Sequence, residues 1–398
     1  MRICAVTTWP PHREGVALYS SYLYTHMSKM ARVDVIANTS LFHASFGNLY
    51  PKRHEHGGVR IVRCWCRGNP VYPLKIFRQV LKLKPDVIHV QHGWLLYGGV
   101  FSSLLFPVLL LLLRLVGKPY VVTMHTVVRK EARLYKSKLI NSLAKAVITI
   151  ITKAIVKLSS AVIVHNCMIK ETLERAYSLE KDGWKIIVIP HGAKEASEKN
   201  ICLRTDESLH ILSLGFVRRR KGIEYLIEAF KKFLVKYPRG TFIVTGGKHA
   251  HEKKNPIEEI KWRLPADISE KVVFTNFIDD ENLDELIWKS DIIVLYSVED
   301  SFVEASGALA RVALFGRPVI CSRVPKFWAE LRDGQNCVMV EPGDPESLVK
   351  ALILLANDAD LRRRLGENLK NKFKNREWSM VAEQHINLFE KLLENKEL

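Results

Sequence analysis

No two cysteines in this chain stand at a redox or metal-binding spacing. The seven (Cys4, Cys64, Cys66, Cys167, Cys202, Cys321, Cys337) are odd in number and scattered, and Cys64-Trp65-Cys66 is too tight for a zinc half-site. This excludes a disulfide framework and predicts reduced thiols in a cytoplasmic protein. No signal peptide is expected either: Met1 to Thr7 runs straight into a strand-like segment, without a basic region and a long apolar core. Acidic residues are in deficit. Against 60 Lys+Arg stand 42 Asp+Glu, a formal charge of +18, which favours nucleic acid, acidic phospholipid or a phosphate-bearing substrate. No stacking-aromatic or helix-turn-helix signature supports nucleic acid. What is present is ordinary globular composition, 47% hydrophobic and 26% charged, over 398 residues. At about 150 residues per domain, that length suits two or three domains.

Strand-like runs recur at residues 2–7, 33–37, 59–63, 86–90, 119–124, 161–165 and 185–189, with helical patterns between them at 16–30, 74–83 and 138–158. Such alternation predicts a doubly wound α/β domain over 1–192. A polar, aperiodic linker follows at 193–208. The alternation restarts at Leu209 and predicts a second such domain over 209–375. A final helix over 376–398, with one apolar stripe through Val381, Ala382, Ile386 and Phe389, is expected to pack back across both. Between Gly93 and Leu113 the chain has 21 residues without a charge. Its strand–helix–strand context predicts a core helix, with a single membrane span as the alternative. In paired sheets of this kind a ligand cleft is expected outside the strand ends.

Three segments carry chemistry. Gly215-Phe216-Val217-Arg218-Arg219-Arg220-Lys221-Gly222 lies between a strand and a helix. Glycines that allow a tight turn, free helix N–H groups, and the charges of Arg218 and Lys221 suit a phosphate or pyrophosphate. An exposed basic loop is the plainer alternative. Trp9 to Val16 joins the first strand to the first helix around Gly15, without a G-x-G-x-x-G fingerprint. Glu304-Ala305-Ser306-Gly307 opens an apolar helix, where a carboxylate and helix N–H groups can hold sugar hydroxyls. Glu304 as a mere first-turn charge is its alternative. His89 and His92 fit either an acceptor-side lining or a packed role, and His191 reads as structural.

Together these segments resemble the GT-B glycosyltransferases of family 4, which are retaining and use nucleotide sugars. The resemblance rests on the Pro10–Gly15 loop, Val122-Thr123-Met124-His125, Val188-Ile189-Pro190-His191-Gly192, Gly215 to Gly222, and Glu304-Ala305-Ser306-Gly307 followed by Gly316-Arg317-Pro318-Val319. It implies two Rossmann-like domains facing across a cleft. Arg218 and Lys221 would bind the donor diphosphate, while His125 and Glu304 would hold the transferred sugar. Gly15, Gly215, Gly222, Ser306 and Gly307 would complete the donor site. The family's E-x7-E motif is broken: Val312 stands eight residues beyond Glu304, and Arg311 takes the place of the second, ribose-gripping glutamate.

The resulting expectation is sugar transfer from a nucleotide-diphospho-sugar to an acceptor, with a lipid-linked acceptor or a cell-surface glycan as the candidates. No cofactor and no metal are expected, since no D-x-D-like pattern accompanies these motifs. An epimerase or phosphorylase of the same fold is the enzymatic alternative, and a basic nucleic-acid-binding protein the non-enzymatic one. Residues 129–157 hold eight Lys+Arg and one acid, Glu131, with Lys138, Lys145, Lys153 and Lys157 on a polar stripe beside a broad apolar face. That pattern predicts peripheral binding at an anionic membrane, at the inner face of the cell membrane.

Overall fold

A computed structural model describes residues 1–39, 53–196, 208–217, 221–247, 256–298 and 301–394. The chain divides into two compact units. The first holds residues 1–192, 301–305 and 378–398, and the second 193–300 and 306–377.

In the first unit the strands are β1 (Arg2–Thr7), β2 (Arg32–Thr39), β3 (Arg53–His56), β4 (Val59–Cys66), β5 (Val87–His92), β6 (Tyr120–Met124), β7 (Thr126–Val128), β8 (Ala161–Val164) and β9 (Ile186–Val188). Eight of them form one sheet in the order β3-β4-β2-β1-β5-β6-β8-β9. All neighbours are parallel except β3 with β4, an exposed edge carrying Arg53, His54, Glu55 and His56. Central strands of a sheet covered on both faces are removed from water, and β5 is buried at every position, His89, Gln91 and His92 included. Successive β1 residues feed opposite faces. Cys4 and Val6 join a core with helices α2 (Tyr72–Leu83), α4 (Phe106–Arg114), α5 (Lys138–Leu158) and α6 (Cys167–Glu171) on their side of the sheet, and a short α3 (Val100–Leu104) precedes α4. Ile3 and Ala5 join a core with α1 (Gly15–Met27) and the C-terminal helix.

The second unit has a six-stranded parallel sheet built from β10 (His210–Leu214), β11 (Thr241–Thr245), β12 (Val272–Asn276) and β13 (Ile292–Leu295), in which β10 is central. After β13 the chain returns to the first unit for one short strand, β14 (Phe302–Glu304), antiparallel to β7. It then completes the second sheet with β15 (Val319–Ser322) and β16 (Val338–Val340). Helices α7 (Ile223–Lys236), α8 (Pro256–Trp262), α9 (Asp280–Lys289), α10 (Gly307–Val312), α11 (Pro325–Trp328), α12 (Pro345–Asn357) and α13 (Ala359–Phe373) surround it, and α14 (Trp378–Glu394) ends the described chain. Asp344 caps α12 through Glu346 N–H, with Pro345 in the first turn.

Several expectations need correction. The helix α14 belongs to the first unit, where Val381, Ala382 and Phe389 are fully buried with α1 residues Leu23 and Tyr24. Residues 301–305, expected in the second domain, lie in the first. Ala193, expected in the linker, is buried and donates its N–H to Arg376 O at 2.6 Å; residues 197–207 lie outside the described set. The apolar 93–113 segment is not one helix. Turns occupy 93–99, and the helix that follows breaks at Leu105, before Pro107.

The helix α5 keeps its predicted 138–158 bounds, yet its apolar residues divide between two faces. Ile151, Ile155 and Val156 are buried on the sheet, whereas Leu139, Leu143 and Ile150 are 66–80% exposed. At 3.6 residues per turn those three share one outward stripe. The adjoining α3–α4 segment exposes Phe101, Leu104, Val108, Leu111 and Leu115 at the same helical spacing. Among the described residues α5 is the one helix long and apolar enough to cross a bilayer, and it packs on its own domain through Ile151, Thr152, Ile155 and Val156.

Candidate active site

In the first unit, polar side chains gather where β5, β6, β8 and β9 end. His125 follows β6, and its N–H bonds the His92 carbonyl at 2.9 Å. Both of its ring nitrogens are engaged: Nε2 is 2.7 Å from Gln91 Oε1, and Nδ1 is 3.1 Å from His165 Nε2. His165 Nδ1 lies 3.1 Å from the Ile189 carbonyl. The Tyr19 ring of α1 stands edge-on to His125, centroids 4.7 Å apart, and also packs on His165 and His191. Burial, then the surrounding histidines, holds His125 well below the ordinary imidazole range, and burial pushes His165 down to about 3. A carbonyl only accepts, so His165 carries its proton on Nδ1. Its bare Nε2 then accepts from His125 Nδ1–H.

His89 and His92, left open by the sequence, are buried and packed. His89 bonds Tyr24 Oη at 3.0 Å and Thr123 Oγ1 at 2.7 Å, and burial pushes His92 down to about 3. His191 keeps its structural reading, with its ring against Tyr19 and Trp378.

Glu304 pairs opposite Thr126 in the β14–β7 ladder, next to His125 in sequence. Ser306 and Gly307 therefore stand at the helix start that the sequence predicts, and only Glu304 departs from it. Glu304 sits on a strand of the first unit, while α10 starts at Gly307 in the second. That also removes Glu304 as a first-turn charge.

Gly15 opens α1 and is exposed. A Cβ placed on it would meet nothing within 4 Å, and its φ is not left-handed. Neither packing nor backbone demands glycine here. The loop beneath it is firmly held: buried Glu14 pairs with Arg67 Nη1 at 3.0 Å, and Arg67 Nη2 donates to Leu95 O at 2.9 Å. Burial opposes the Glu14 charge, but His12 and Arg67 outweigh it and keep the carboxyl below its usual range.

In the second unit, Gly215 ends β10 with φ +131° and donates to Thr245 O at 3.1 Å. Its Cβ position would lie 3.5 Å from Lys221 Nζ and 4.0 Å from Ala308 Cβ. The strand-end glycine, the Lys221 ammonium and the start of α10 thus converge on one spot. Gly222 caps α7 in the left-handed region, and a side chain would strike Tyr296 at 2.9 Å, so the fold itself requires glycine there. The Ser306 hydroxyl caps α10 by accepting from Leu309 N–H at 3.2 Å. Arg218 lies outside the described residues.

Arg311, at the ribose-gripping position, is committed elsewhere. It ion-pairs with Asp284 and donates to the Asp280 carbonyl at 2.9 Å, while Lys194 shares Asp284 at 2.9 Å. Among the described residues no group of three or more His, Cys, Asp or Glu is placed to hold a metal ion. The sequence did not assign Gln91, His165 and Tyr19 to the site. Gln91 and His165 had one signal, a polar residue at or just past the end of a buried strand, and they meet His125 because β5, β6 and β8 are neighbours, whereas Tyr19 comes from α1 and carried no such signal.

Comparison with known proteins agrees on kind. The family described as Glycosyltransferase Family 4 matches residues 13–196, and Glycosyl transferases group 1 matches 194–372. An uncharacterized glycosyltransferase of Methanocaldococcus jannaschii is 27% identical over 49% of this chain and 48% of its own. The D-inositol 3-phosphate glycosyltransferase of Corynebacterium urealyticum is 26% identical over 45% of this chain and 42% of its own. The chain spans about half the length of the curated relatives it matches. Among solved structures, sucrose-phosphate synthase from Thermosynechococcus elongatus superposes with TM-score 0.76 at 20% identity, covering 99% of this chain and all of that one. Anabaena HepE in complex with UDP-glucose gives 0.70 at 15% identity, covering 98% and 100%. At such identities the likeness shows the fold.

Proposed function

The chain belongs to the family 4 glycosyltransferases of GT-B architecture, and on that premise we propose that it moves a sugar from a nucleotide-diphospho-sugar to an acceptor hydroxyl with retention of configuration. The observation that carries this reading is the Lys221 ammonium beside the strand-end glycine Gly215. A cation fixed there meets the negative charge that develops as the diphosphate leaves, where electrostatic stabilisation has most effect. The bond from the sugar's anomeric carbon to the phosphate oxygen breaks, the acceptor oxygen attacks the same face, and its proton passes to the departing phosphate oxygen. Arg218 and Lys221 neutralise the diphosphate without a metal. His125 and Glu304 hold the sugar. Because both His125 ring nitrogens are engaged within the unit, the sugar meets that residue at ring carbons or the backbone carbonyl. The test is product analysis by NMR with a donor panel and an acceptor. An α-donor giving an α-product supports retention, and donor conversion without acceptor supports an epimerase instead.

The outward stripe of α5 supports peripheral attachment to an anionic membrane. Leu139, Leu143 and Ile150 are exposed, and the basic stretch 129–157 surrounds them. Apolar side chains in the headgroup boundary, with lysines on lipid phosphates, give reversible binding. A lipid-linked acceptor suits that placement. Co-sedimentation with anionic vesicles, weakened by salt and absent with neutral ones, is the expected result; no binding to either rejects attachment.

A further inference from the structure

The outward stripe of α5 continues across its neighbours in the first unit. Helix α4 packs between α2 and α5, and the Tyr72 hydroxyl ties α2 to α3 by donating to Ser102 O at 3.0 Å. Each helix turns one apolar row to the sheet and leaves a second outside. On α4, Phe106, Leu109, Leu110 and Leu113 are buried, while Val108 and Leu111 are exposed. These two extend an outer row that starts at Phe101 on α3 and ends at Leu115. Phe101 and Leu115 are 64% and 76% exposed, and fourteen residues separate them, about 20 Å at 1.5 Å per residue. Leu74 and Leu81 are exposed on α2, as are Leu139, Leu143 and Ile150 on α5. The rows run along the helices, so whatever covers them lies flat on all three.

Charge selects the occupant. From Tyr72 to Leu158 the chain carries fourteen Lys+Arg and two acids, Asp86 and Glu131. Asp86 accepts from Arg2 N–H at 2.7 Å, and Glu131 lies 3.7 Å from Arg129. Exposed cations border the apolar rows: Lys75, Arg78 and Lys82 on α2, Arg114 at the end of α4, and Lys136 and Lys138 where α5 begins. Two copies meeting through this face would set those cations against each other, and like charges across an interface are costly. An anionic bilayer instead pairs them with lipid phosphates and takes the apolar rows into the headgroup boundary.

The orientation has a consequence for the substrate. Helix α2 follows β4, α3 follows β5, and α5 follows β6 and β7, so their N-terminal ends lie at the carboxyl edge of the sheet, where His125 follows β6. Leu74, Phe101 and Leu139 are exposed at those ends, and the apolar surface reaches that edge. We propose that the first unit lies with α2, α3–α4 and α5 flat on an anionic bilayer, that this sets its carboxyl edge at the level of the headgroups, and that the acceptor hydroxyl is borne by a lipid whose chains stay in the bilayer. The seat is a property of the first unit alone, whereas the acceptor class rests on the proposed glycosyl transfer.

The direct test is tryptophan quenching by brominated lipid, on the full chain with vesicles of phosphatidylglycerol and phosphatidylcholine. Phe101→Trp and Leu115→Trp probe the two ends of the α3–α4 row, Leu143→Trp probes α5, and Val235→Trp probes exposed α7 in the second unit. Read as differences from the wild type, the first three should be quenched alike and Val235→Trp should not. Quenching at Leu143→Trp alone, or at one end of the row alone, overturns the flat seat. So does a dimer, in sedimentation without vesicles, that Leu111→Glu dissociates, because a second copy then covers the face. Transfer is compared, with vesicles present, on glycosides of one sugar bearing a methyl or a dodecyl aglycone. The dodecyl compound should show kcat/KM higher by about tenfold or more, since confinement at the surface raises its effective concentration. Leu111→Glu should lose that advantage with its urea midpoint unchanged. Equal kcat/KM on the two compounds overturns the acceptor class. The expected quenching without transfer to either rejects the transfer reading and leaves the seat standing.

Discussion

Replacing Gly15 by alanine should move stability and activity in opposite directions. The new methyl enters open space, since nothing lies within 4 Å of its position and the backbone there is not left-handed. Gly15 begins α1, and exchanging glycine for alanine at a compatible site stabilises by about 0.4–1 kcal/mol through the unfolded chain. The space the methyl fills is where the donor approaches in the proposed site. The loop cannot easily withdraw, because Glu14 is tied to Arg67 and Arg67 to the Leu95 carbonyl. Forcing a methyl into a close contact costs about 1–3 kcal/mol, roughly a 5- to 150-fold rise in KM for the donor. Urea denaturation and initial rates on the same preparation read both effects. An equally stable variant with unaltered KM would refute the placement of donor at this loop. A destabilised variant would refute the structural premise that the space is open.

Lys221→Ala should cost on the order of 3 kcal/mol in kcat/KM while the fold survives, measured by steady-state kinetics alongside circular dichroism. Phe389→Ala removes a fully buried ring from the α14–α1 contact and should lower stability by about 3–5 kcal/mol in urea, with the loss confined to the first unit. His92 and His165 are pushed down to about 3 by burial, so below pH ~6.5 the unfolded chain binds protons that the folded one refuses. Stability is therefore complete above about pH 6.5 and falls as pH drops toward 3, by about 1.4 kcal/mol per unit for each of these groups; a flat urea midpoint between pH 7.5 and 5 would contradict it. Leu143→Glu on the outward face of α5 should abolish vesicle binding with stability changed by less than about 0.5 kcal/mol.

Much of the fold was legible because parallel strands covered on both faces are continuous apolar runs, as in Ala161 to Val164 and Ile292 to Leu295. The second half's brief return to the first unit was not. Phe302–Glu304 is three residues long, and its partner β7 lies 174 positions earlier, counting Phe302 against Val128, so no local pattern marks it. The same long range hid the site. Gly215 and Lys221 are neighbours in sequence and could be found together, whereas Gln91, His125 and His165 come together only through strand order. On α5 the helix was clear, but hydropathy alone could not tell the face that Ile151 and Ile155 bury from the one that Leu139 and Leu143 leave in solvent.

The central claim is that the Gly215–Lys221 turn binds the diphosphate of a nucleotide sugar. Its most direct measurement is the unfolding midpoint of the full chain with UDP-, GDP- and ADP-sugars, in wild type and Lys221→Ala. One donor at about 100 times its dissociation constant should add about 2.7 kcal/mol of stability to the wild type, and little to Lys221→Ala. Equal stabilisation of both proteins, or none by any nucleoside diphosphate or its sugar, would contradict it.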